Sequence, residues 1–439
     1  MALNIAIVGG GIAGLSAGVS LRRAGHTVTI YERSALNNEV GAAINVPPNA
    51  SRPLLGWGLD PVAAQFVPVT AVALHEPFGL KELQLVPMGD WVAHKYRAPF
   101  YFAHRVDLHQ ALKTLATTEE GDAPGTPVVI HLKSEVVGYD PETPSITLAS
   151  GEVITPDVVI AADGVNSIAV EAVLGKPNPA QPQEFYNCCY RFLIPASALE
   201  SDPDTAFFSE DRHGKMRIFV DTANWRRLVC YPCRNNEILN FVAMFHNADM
   251  GASEKEDWHA SANKSKMLEV FKAFHPGLLK VINKATDVKY WPLLFRAPIP
   301  TWTKGKMVLA GDAAHPMLPH QGQGGAQGLE DGIALGIAMC GATRETVAAR
   351  LAAYERIRIN RASAIQTLSN AGQDQVQLIH KEAAKYMGSE EAVPKTPHEF
   401  LEYNFGHDVV DEARRALEGL DSKFSFPANF FQKSGPFLP

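Results

Sequence analysis

Near its N-terminus the chain reads NIAIVGGGIAGLSAGVSLRRAGHTVTIYER, and no other stretch constrains the fold so tightly. Residues 4–8 are a short apolar run suited to a buried parallel strand. Gly9, Gly11 and Gly14 then complete a G-x-G-x-x-G, with Ile12 and Ala13 opening the helix that follows. Small residues at Ala13, Gly14, Ala17 and Gly18 let that helix approach a sheet closely, and Arg22, Arg23 and Gly25 suit its C-terminal end. The next strand, TVTIYER, carries Glu32 eighteen residues after Gly14. Each part has a mechanical task. Gly9 makes the tight turn, Gly11 admits a pyrophosphate, and Gly14 lets helix meet strand. The helix N-terminus faces the anion, and Glu32 accepts from a ribose hydroxyl. Arg33 either stacks on adenine or is solvated. The unit calls for an ADP-containing dinucleotide on an α/β, Rossmann-type sheet; by itself it does not choose NAD over FAD.

The chain's 439 residues allow two to three domains, or one large domain with an insertion. A hydrophobic content of 46% supplies a sizeable core. The net charge of −7, without a long basic run, argues against nucleic acid and against an anionic membrane surface. The apolar stretch GIALGIAMCGA at 332–342 is too short for a membrane span and reads as a buried helix. No basic start with a cleavage site is visible, and the five cysteines are an odd set, so a cytoplasmic, reducing location is expected. Cys230 and Cys233 have CxxC spacing, but no second pair completes a metal set; they read as packed strand thiols.

Two later stretches bear on the choice of dinucleotide. VVIAADGVNS at 158–167 is a buried strand ending in Asp163-Gly164, and KMVLAGDAAHPMLPHQG at 306–322 is another ending in Gly311-Asp312. Each brings a short carboxylate to a strand terminus, where open α/β sheets bind ligands. Together with GAAINVPPNASRPLLGWGL at 41–59, AHRVDLHQAL at 103–112, YPCRNNEILNFVA at 231–243 and Tyr354, Arg356, Arg358 and Arg361, these motifs stand in an order that resembles the single-component FAD-dependent aromatic hydroxylases (group A flavoprotein monooxygenases), of the salicylate hydroxylase-like branch. The chain departs from that pattern at Val170, where the family commonly has an arginine used in nicotinamide docking. It departs again at Ala326, where a second glycine is usual.

The resemblance implies a discontinuous FAD-binding domain, 1–180 and 301–385, with an inserted, mainly β substrate domain at 181–300 and a C-terminal helix and extended tail at 386–439. It also implies non-covalent FAD, NAD(P)H as a transient reductant, and O2. A flavin C4a-hydroperoxide would pass oxygen to an electron-rich aromatic of phenolic, salicylate-like or indole type. Ala43 and Arg105 are expected on the cofactor side, Arg105 alternatively capping nearby carbonyls. Asp163 is expected at the cofactor, and Asp312 accepts from a ribityl hydroxyl. Pro316 and Pro319 stiffen the loop, and Gly322, Gly324 and Gly325 make room for a flat ring. The amides of residues 325–327, Ala326 among them, face the flavin pyrimidine edge and favour the reduced anion by ~0.3–1 kcal/mol. Glu330 and Asp331 read as acidic residues at that helix's positive end.

In the middle of the chain, CCYRFLIP, KMRIFVD, RRLVCYP and NFVAMFH read as strands, and KSKMLEVFKAFHPGLLKVIN as a helix. Tyr186, Arg191, Arg217 and Tyr231 are the substrate candidates, each alternatively on the wrong face of its strand. His320 is the catalytic candidate, a base for a phenol. His315 is expected to support the loop, and His104 and His109 to be structural. The tail after 420, with five phenylalanines, either lies over the surface or a partner or frays. A monomer or homodimer acting on a small aromatic molecule is expected. The rival readings are an FAD-dependent oxidase or dehydrogenase on the same fold, or a non-catalytic FAD redox sensor.

Overall fold

The computed structural model describes residues 2–36, 42–119, 124–182, 186–210, 212–248, 263–422 and 424–432. In chain order, the strands that build the site begin with β1 (Asn4–Val8), β2 (Thr27–Tyr31), β3 (Ala43–Val46), β4 (Ala71–His75), β5 (Glu82–Pro87), β6 (Val129–His131) and β7 (Val158–Ala161). They continue with β8 (Cys188–Pro195), β9 (Lys215–Asp221), β10 (Arg226–Cys233), β11 (Ile238–Phe245), β12 (Lys289–Pro292), β13 (Thr303–Lys304) and β14 (Met307–Leu309). Four helices matter most: α1 (Ile12–Arg23), α2 (Arg105–Thr117), α3 (Gly324–Met339) and α4 (Val347–Leu368).

The first sheet has the order β13-β14-β7-β1-β2-β6 and is parallel except at the β13 edge. Its central strands are covered on both faces, so β7 is buried at every position and β1 at all but its first. That is why they read as unbroken apolar runs rather than as alternation. Helices α1 and α3 pack against each other through Gly328, Gly332 and Gly336, spaced four apart along one side of α3. A Cβ at Gly332 would meet Ala17 N at 2.5 Å, and one at Gly336 would collide with Ser20. Ser16 Oγ donates to Leu329 O at 3.2 Å across this seam. The small residues of α1 therefore serve two surfaces: Gly14 and Gly18 face the sheet side, while Ala13, Ser16 and Ala17 face α3. The seam brings the N-terminal turns of the two helices together.

The second sheet has seven strands in the order β12-β8-β11-β10-β9-β4-β5. One face buries Tyr190, Phe192, Phe219, Cys230 and Phe241 under two helices, Lys264–Val270 and Pro276–Lys284. The other face, carrying Cys189, Val242 and Met244, is turned toward Leu318 of the Gly311–Gly322 segment. The sheet is not confined to 181–300: β4 pairs parallel with β9, so residues 71–87 of the first segment complete it. The helix expected over 264–283 is two helices, because Pro276 begins a new one at its N1 position.

Cys230 and Cys233 belong to clusters on opposite faces of the second sheet. Burial pushes both thiols up to about 12, as expected of inert packing residues. The tail packs rather than frays as far as residue 432. Phe430 is fully buried, Arg23 donates to Phe430 O at 3.0 Å, and Gln432 N donates to Gly56 O at 2.8 Å. No helix among the described residues is long and apolar enough to cross a membrane, and no group of three metal-ligating side chains occurs among them.

Candidate active site

The N-terminal cradle begins where β1 ends. Gly9 has φ +100°, and its amide donates to Tyr31 O at 2.9 Å. A Cβ there would collide with Ala162 O, and one at Gly14 would collide with Gly9 O. A Cβ at Gly11 would meet nothing within 4 Å. Gly11 caps α1 without a side-chain hydrogen bond, so the first-turn amides, Ile12 and Ala13 included, receive no acceptor from the cap residue. This is the geometry a pyrophosphate needs: room at Gly11 and donors behind it. Glu32 is fixed by Gly10 N on Oε2 and Ser34 N on Oε1, both at 2.7 Å, with lone pairs left for ribose hydroxyls. Arg33 is exposed. His109 Nε2 contacts Gly10 O at 2.7 Å, so its role is to brace the glycine turn.

Asp163 extends from β7. Its Oδ2 accepts from Tyr139 OH at 2.8 Å, while Oδ1 is buried without a partner. Burial raises its pKa, against the pull of Ser167, Tyr139 and Arg33. An orphaned buried acceptor at a strand end is a place for a cofactor donor.

The second cradle follows β14. Gly311 has φ +62° and opens a short 3-10 turn that carries Asp312, which is exposed. Gly322, also left-handed at φ +61°, stands against Asn45. Helix α3 starts at Gly324, again with no side-chain cap. A Cβ at Gly324 would meet only Met317 Cβ, at 3.9 Å, whereas one at Gly325 would collide with Ile44. Gly324 therefore faces unfilled space, as a flat ring would require, and the amides of Gly325 and Ala326 lie at the same end of the helix; the Gln327 amide, expected with them, instead donates to Gln323 O at 2.8 Å within the first turn.

Glu330 and Asp331 do not sit in the first turn of α3, so they do not serve its positive end as expected. They lie almost two turns in, fully buried, and form the centre of a polar network. Arg358 of α4 binds both: Nη1 pairs with Glu330, and Nε reaches Asp331 Oδ1 at 2.8 Å. Arg361 reaches Glu330 Oε1 at 2.8 Å, and Asn49 Nδ2 does so at 2.7 Å. Asp331 Oδ2 accepts from Gly311 N at 2.7 Å and meets His315 Nε2 at 2.5 Å. One carboxylate thus grips both ends of the turn that presents Asp312. His315 supports the loop from behind, as expected.

A cleft of about 130 Å³ separates the loop from the second sheet. Asp312, Pro316 and Pro319 form one wall; Cys189, Arg191 and Trp291 form the other. The Arg191 guanidinium lies 4.5 Å from the Trp291 ring, and its Nη2 donates to Ala43 O at 3.2 Å. Its Nε is buried without a partner, and no carboxylate among the described residues pairs with it. Ala43 is held from three strands of the sheet: Tyr231 OH also donates to its carbonyl at 3.0 Å, and its amide donates to Asn240 Oδ1 at 3.2 Å. Arg105 begins α2 beside this point, its amide donating to Ala42 O at 2.8 Å.

Two substrate candidates are corrected. Arg217 pairs across the sheet with Cys230, on the helix-covered face, and reaches toward Phe208 O at 3.4 Å; it points away from the cleft. Tyr231 spends its hydroxyl on Ala43. Tyr186 stands with the loop: its ring centroid is 5.7 Å from Trp225 and 5.5 Å from His320, with the Arg227 guanidinium 5.2 Å away. His320 keeps some exposed surface, but its Nδ1 is buried without a partner. Burial, then the Arg227 charge, pulls its pKa down to about 3. So low a proton affinity removes the reason for making it a general base. Sequence reasoning passed over Arg227, Trp291 and the Glu330–Asp331 partners. For Arg227 the signal was its alternation with Val229 and Tyr231 along β10.

Comparison with known proteins agrees with this architecture. A family model described as an FAD binding domain matches residues 130–369, and one for an NAD(P)-binding Rossmann-like domain matches residues 7–37. The chain is 47% identical to the FAD-dependent monooxygenase cfoG of Aspergillus candidus, over 98% of both chains. It is 30% identical to 3-hydroxybenzoate 6-hydroxylase 1 of Aquipseudomonas alcaligenes, covering 93% of this chain and 99% of that one. Among solved structures it resembles CtdE in complex with FAD and substrate, with a TM-score of 0.77 at 22% identity, over 95% of this chain and 98% of that one. With two glycine cradles at the strand ends and relatives aligned from end to end, the chain belongs to the FAD-dependent aromatic monooxygenases.

Proposed function

We propose that the protein uses NAD(P)H and dioxygen to hydroxylate a small electron-rich aromatic molecule. The observation that carries this reading is the cleft between the second glycine cradle and the second sheet, which joins a slot for a flat cofactor to an apolar, arginine-bearing wall. Gly9, Gly11, Gly14 and the first turn of α1 would take the pyrophosphate of FAD, Glu32 the adenosine ribose and Asp312 the ribityl chain. The N-terminal amides of α3 would face the end of the ring where the reduced cofactor is negative. FAD, when bound, supplies the redox chemistry and the activation of dioxygen. The protein orients the aromatic ring, excludes water and holds charges in place. Leu318, Tyr186, Val242 and Met244 make that surround apolar. His320 acts there as a neutral hydrogen-bonding ring. Val170 stands where relatives of this kind dock the nicotinamide with an arginine, so the reductant would approach without that contact.

The test is to load the protein with FAD and score a panel of phenols, hydroxybenzoates and indoles for stimulated NAD(P)H oxidation. Mass spectrometry then looks for one added oxygen atom. Substrate oxidation without oxygen incorporation would favour the oxidase or dehydrogenase reading. A flavin that NAD(P)H never reduces, with any compound present, would favour a redox sensor.

A further inference from the structure

Behind the first turn of α3 lies a set of side-chain amides whose orientation is fixed from both ends. Gln323 is the N-cap residue of α3, Gln327 lies one turn on, and Asn49 comes from the helix Pro48–Gly56. All three are buried, Gln323 with 2% of its surface exposed. The oxygen and nitrogen of an amide are told apart by the groups they meet. Arg358 Nη2 can only donate and stands 2.7 Å from Gln327, so the Gln327 oxygen faces it and the Gln327 nitrogen is turned to Gln323, at 3.4 Å. The ionised Glu330 can only accept and stands 2.7 Å from Asn49, so the Asn49 nitrogen faces it; that nitrogen also meets Gln323, at 3.2 Å. Two N–H donors therefore converge on one atom of Gln323, which must be its oxygen. The NH2 of Gln323 is left outside the network, and no acceptor among the described residues takes it.

We propose that Gln323 presents this NH2 to a carbonyl on the pyrimidine edge of the FAD ring, and that Gln327 and Asn49 are positioning residues that keep it turned that way. The proposal rests on the reading that sets the reactive end of FAD at the start of α3; its test requires no turnover. Gln323 adjoins Gly324, where an added Cβ would meet only Met317, so it stands at the edge of the unfilled space. A ring carbonyl gains negative charge when the cofactor is reduced, and a fixed donor aimed at it favours the reduced anion over the oxidised form. An oxygen turned to the same place would do the opposite. Arg358 and Glu330 decide which atom is presented, because reversing Gln323 would set N–H against N–H twice. Both charges are fully buried and never touch Gln323 themselves; each acts on it through one amide.

The experiment uses the FAD-loaded protein and reads the ratio of its affinities for reduced and oxidised FAD, from the midpoint potential and the dissociation constant of oxidised FAD. Gln323→Met keeps the length of the side chain and loses the donor. The ratio should fall about tenfold, which is about 30 mV for a two-electron couple. Asn49→Leu removes one of the two donors that orient Gln323 and should show part of that loss. Gln321→Met, in the same loop, gives up donation to Leu368 O and should leave the ratio unchanged. Reconstitution with 2-thio-FAD and with 4-thio-FAD adds a second measurement. Sulfur is a weaker acceptor than oxygen, so with one of the two analogues the native protein and Gln323→Met should no longer differ.

Equal weakening of reduced and oxidised FAD in Gln323→Met would mean that Gln323 only shapes the turn, which overturns the proposal. So would an unchanged ratio, or a difference from the native protein that survives both thio analogues. Should Gln323→Met hold no flavin, the same comparison across FAD and its analogues is made with Asn49→Leu, and the same outcomes decide. If the ratio falls as expected but no aromatic compound gains oxygen, the monooxygenase reading falls while this assignment stands.

Discussion

Removing the carboxylate of Asp331 should disturb the site more than any change at its surface. Asp331 is fully buried, and its two oxygens serve three donors: Gly311 N at 2.7 Å, His315 Nε2 at 2.5 Å and Arg358 Nε at 2.8 Å. Glu330 and Asp331 balance Arg358 and Arg361, so Asp331→Ala leaves a net positive charge in a dry network. Breaking a buried pair costs about 3–5 kcal/mol, and each stranded neutral donor about 1–3 kcal/mol. These terms share atoms and do not add, so about 4 kcal/mol is the working figure, a large part of the roughly 5–15 kcal/mol a domain has. For a chain this long the entropy of unfolding turns that into a fall of only about 4 °C in Tm, so urea midpoints are the more sensitive assay. The local effect should be sharper. Asp331 fixes both ends of the turn bearing Asp312, so FAD affinity should fall even where the protein is still folded. Asp331→Asn keeps one acceptor oxygen and should lie between native and Ala on both measures. An Ala variant that matches the native urea midpoint within about 1 kcal/mol and retains FAD equally well would refute the pinning role.

The two cradles make separable predictions. Gly324→Val and Gly11→Val should fold normally yet lose FAD, seen as a colourless protein with native circular dichroism, because the added side chains meet almost nothing but the space FAD would occupy. A fully yellow Gly324→Val variant with normal turnover would sink that reading. Gly332→Ala should instead cost stability, by about 1–3 kcal/mol or more, since its Cβ meets the backbone of α1; a native urea midpoint would show that the seam can open. His320 and His407 are both drawn down to about 3, chiefly by burial, so the unfolded chain takes up protons below about 6.5 that the native protein refuses. Stability should therefore be lost as pH falls through that window, by at most about 1.4 kcal/mol per pH unit for each ring, less for the surface each retains; a midpoint constant from about pH 6.5 to about pH 5 would contradict it. Arg217→Met should leave substrate KM unchanged, because Arg217 lies on the far face of the sheet.

What could be read from the sequence follows the range of the interactions involved. The first cradle is local: turn, helix start and Glu32 lie within one β–α–β unit, and each glycine has a steric reason visible in the spacing. The second cradle was legible for the same reason, as a strand, a glycine loop and a helix start in succession. Glu330 and Asp331 were misread because a local rule about helix ends was applied to residues whose partners lie about a turn apart on another helix, at Arg358 and Arg361. The GxxxGxxxG seam of Gly328, Gly332 and Gly336 was written in α3, but its meaning depends on α1 lying opposite. Likewise, nothing within residues 71–87 tells that two strands cross to the second sheet; the pairing of β4 with β9 does so.

The substrate wall turns on strand parity, which a single strand cannot disclose. Arg191 and Arg217 look alike in sequence: each is an arginine in a strand of alternating apolar residues. The register separates them. Arg191 alternates with Cys188, Tyr190 and Phe192, which are buried under the helices, so it faces the cleft with Cys189. Arg217 pairs with Cys230, and Cys230 with Phe241, so all three share the helix-covered face. By the same register Arg227 lies opposite Met244 and falls on the cleft side. Two arginines thus face the loop, one stacked on Trp291 and one over Tyr186, while His320 stays neutral beside the second. Under the proposed function, this distribution of charge would move the weight of substrate recognition from the histidine of the loop to the arginines of the sheet. A kcat profile that titrates with a group near 6.5, and loses that step in His320→Gln, would return it to the histidine.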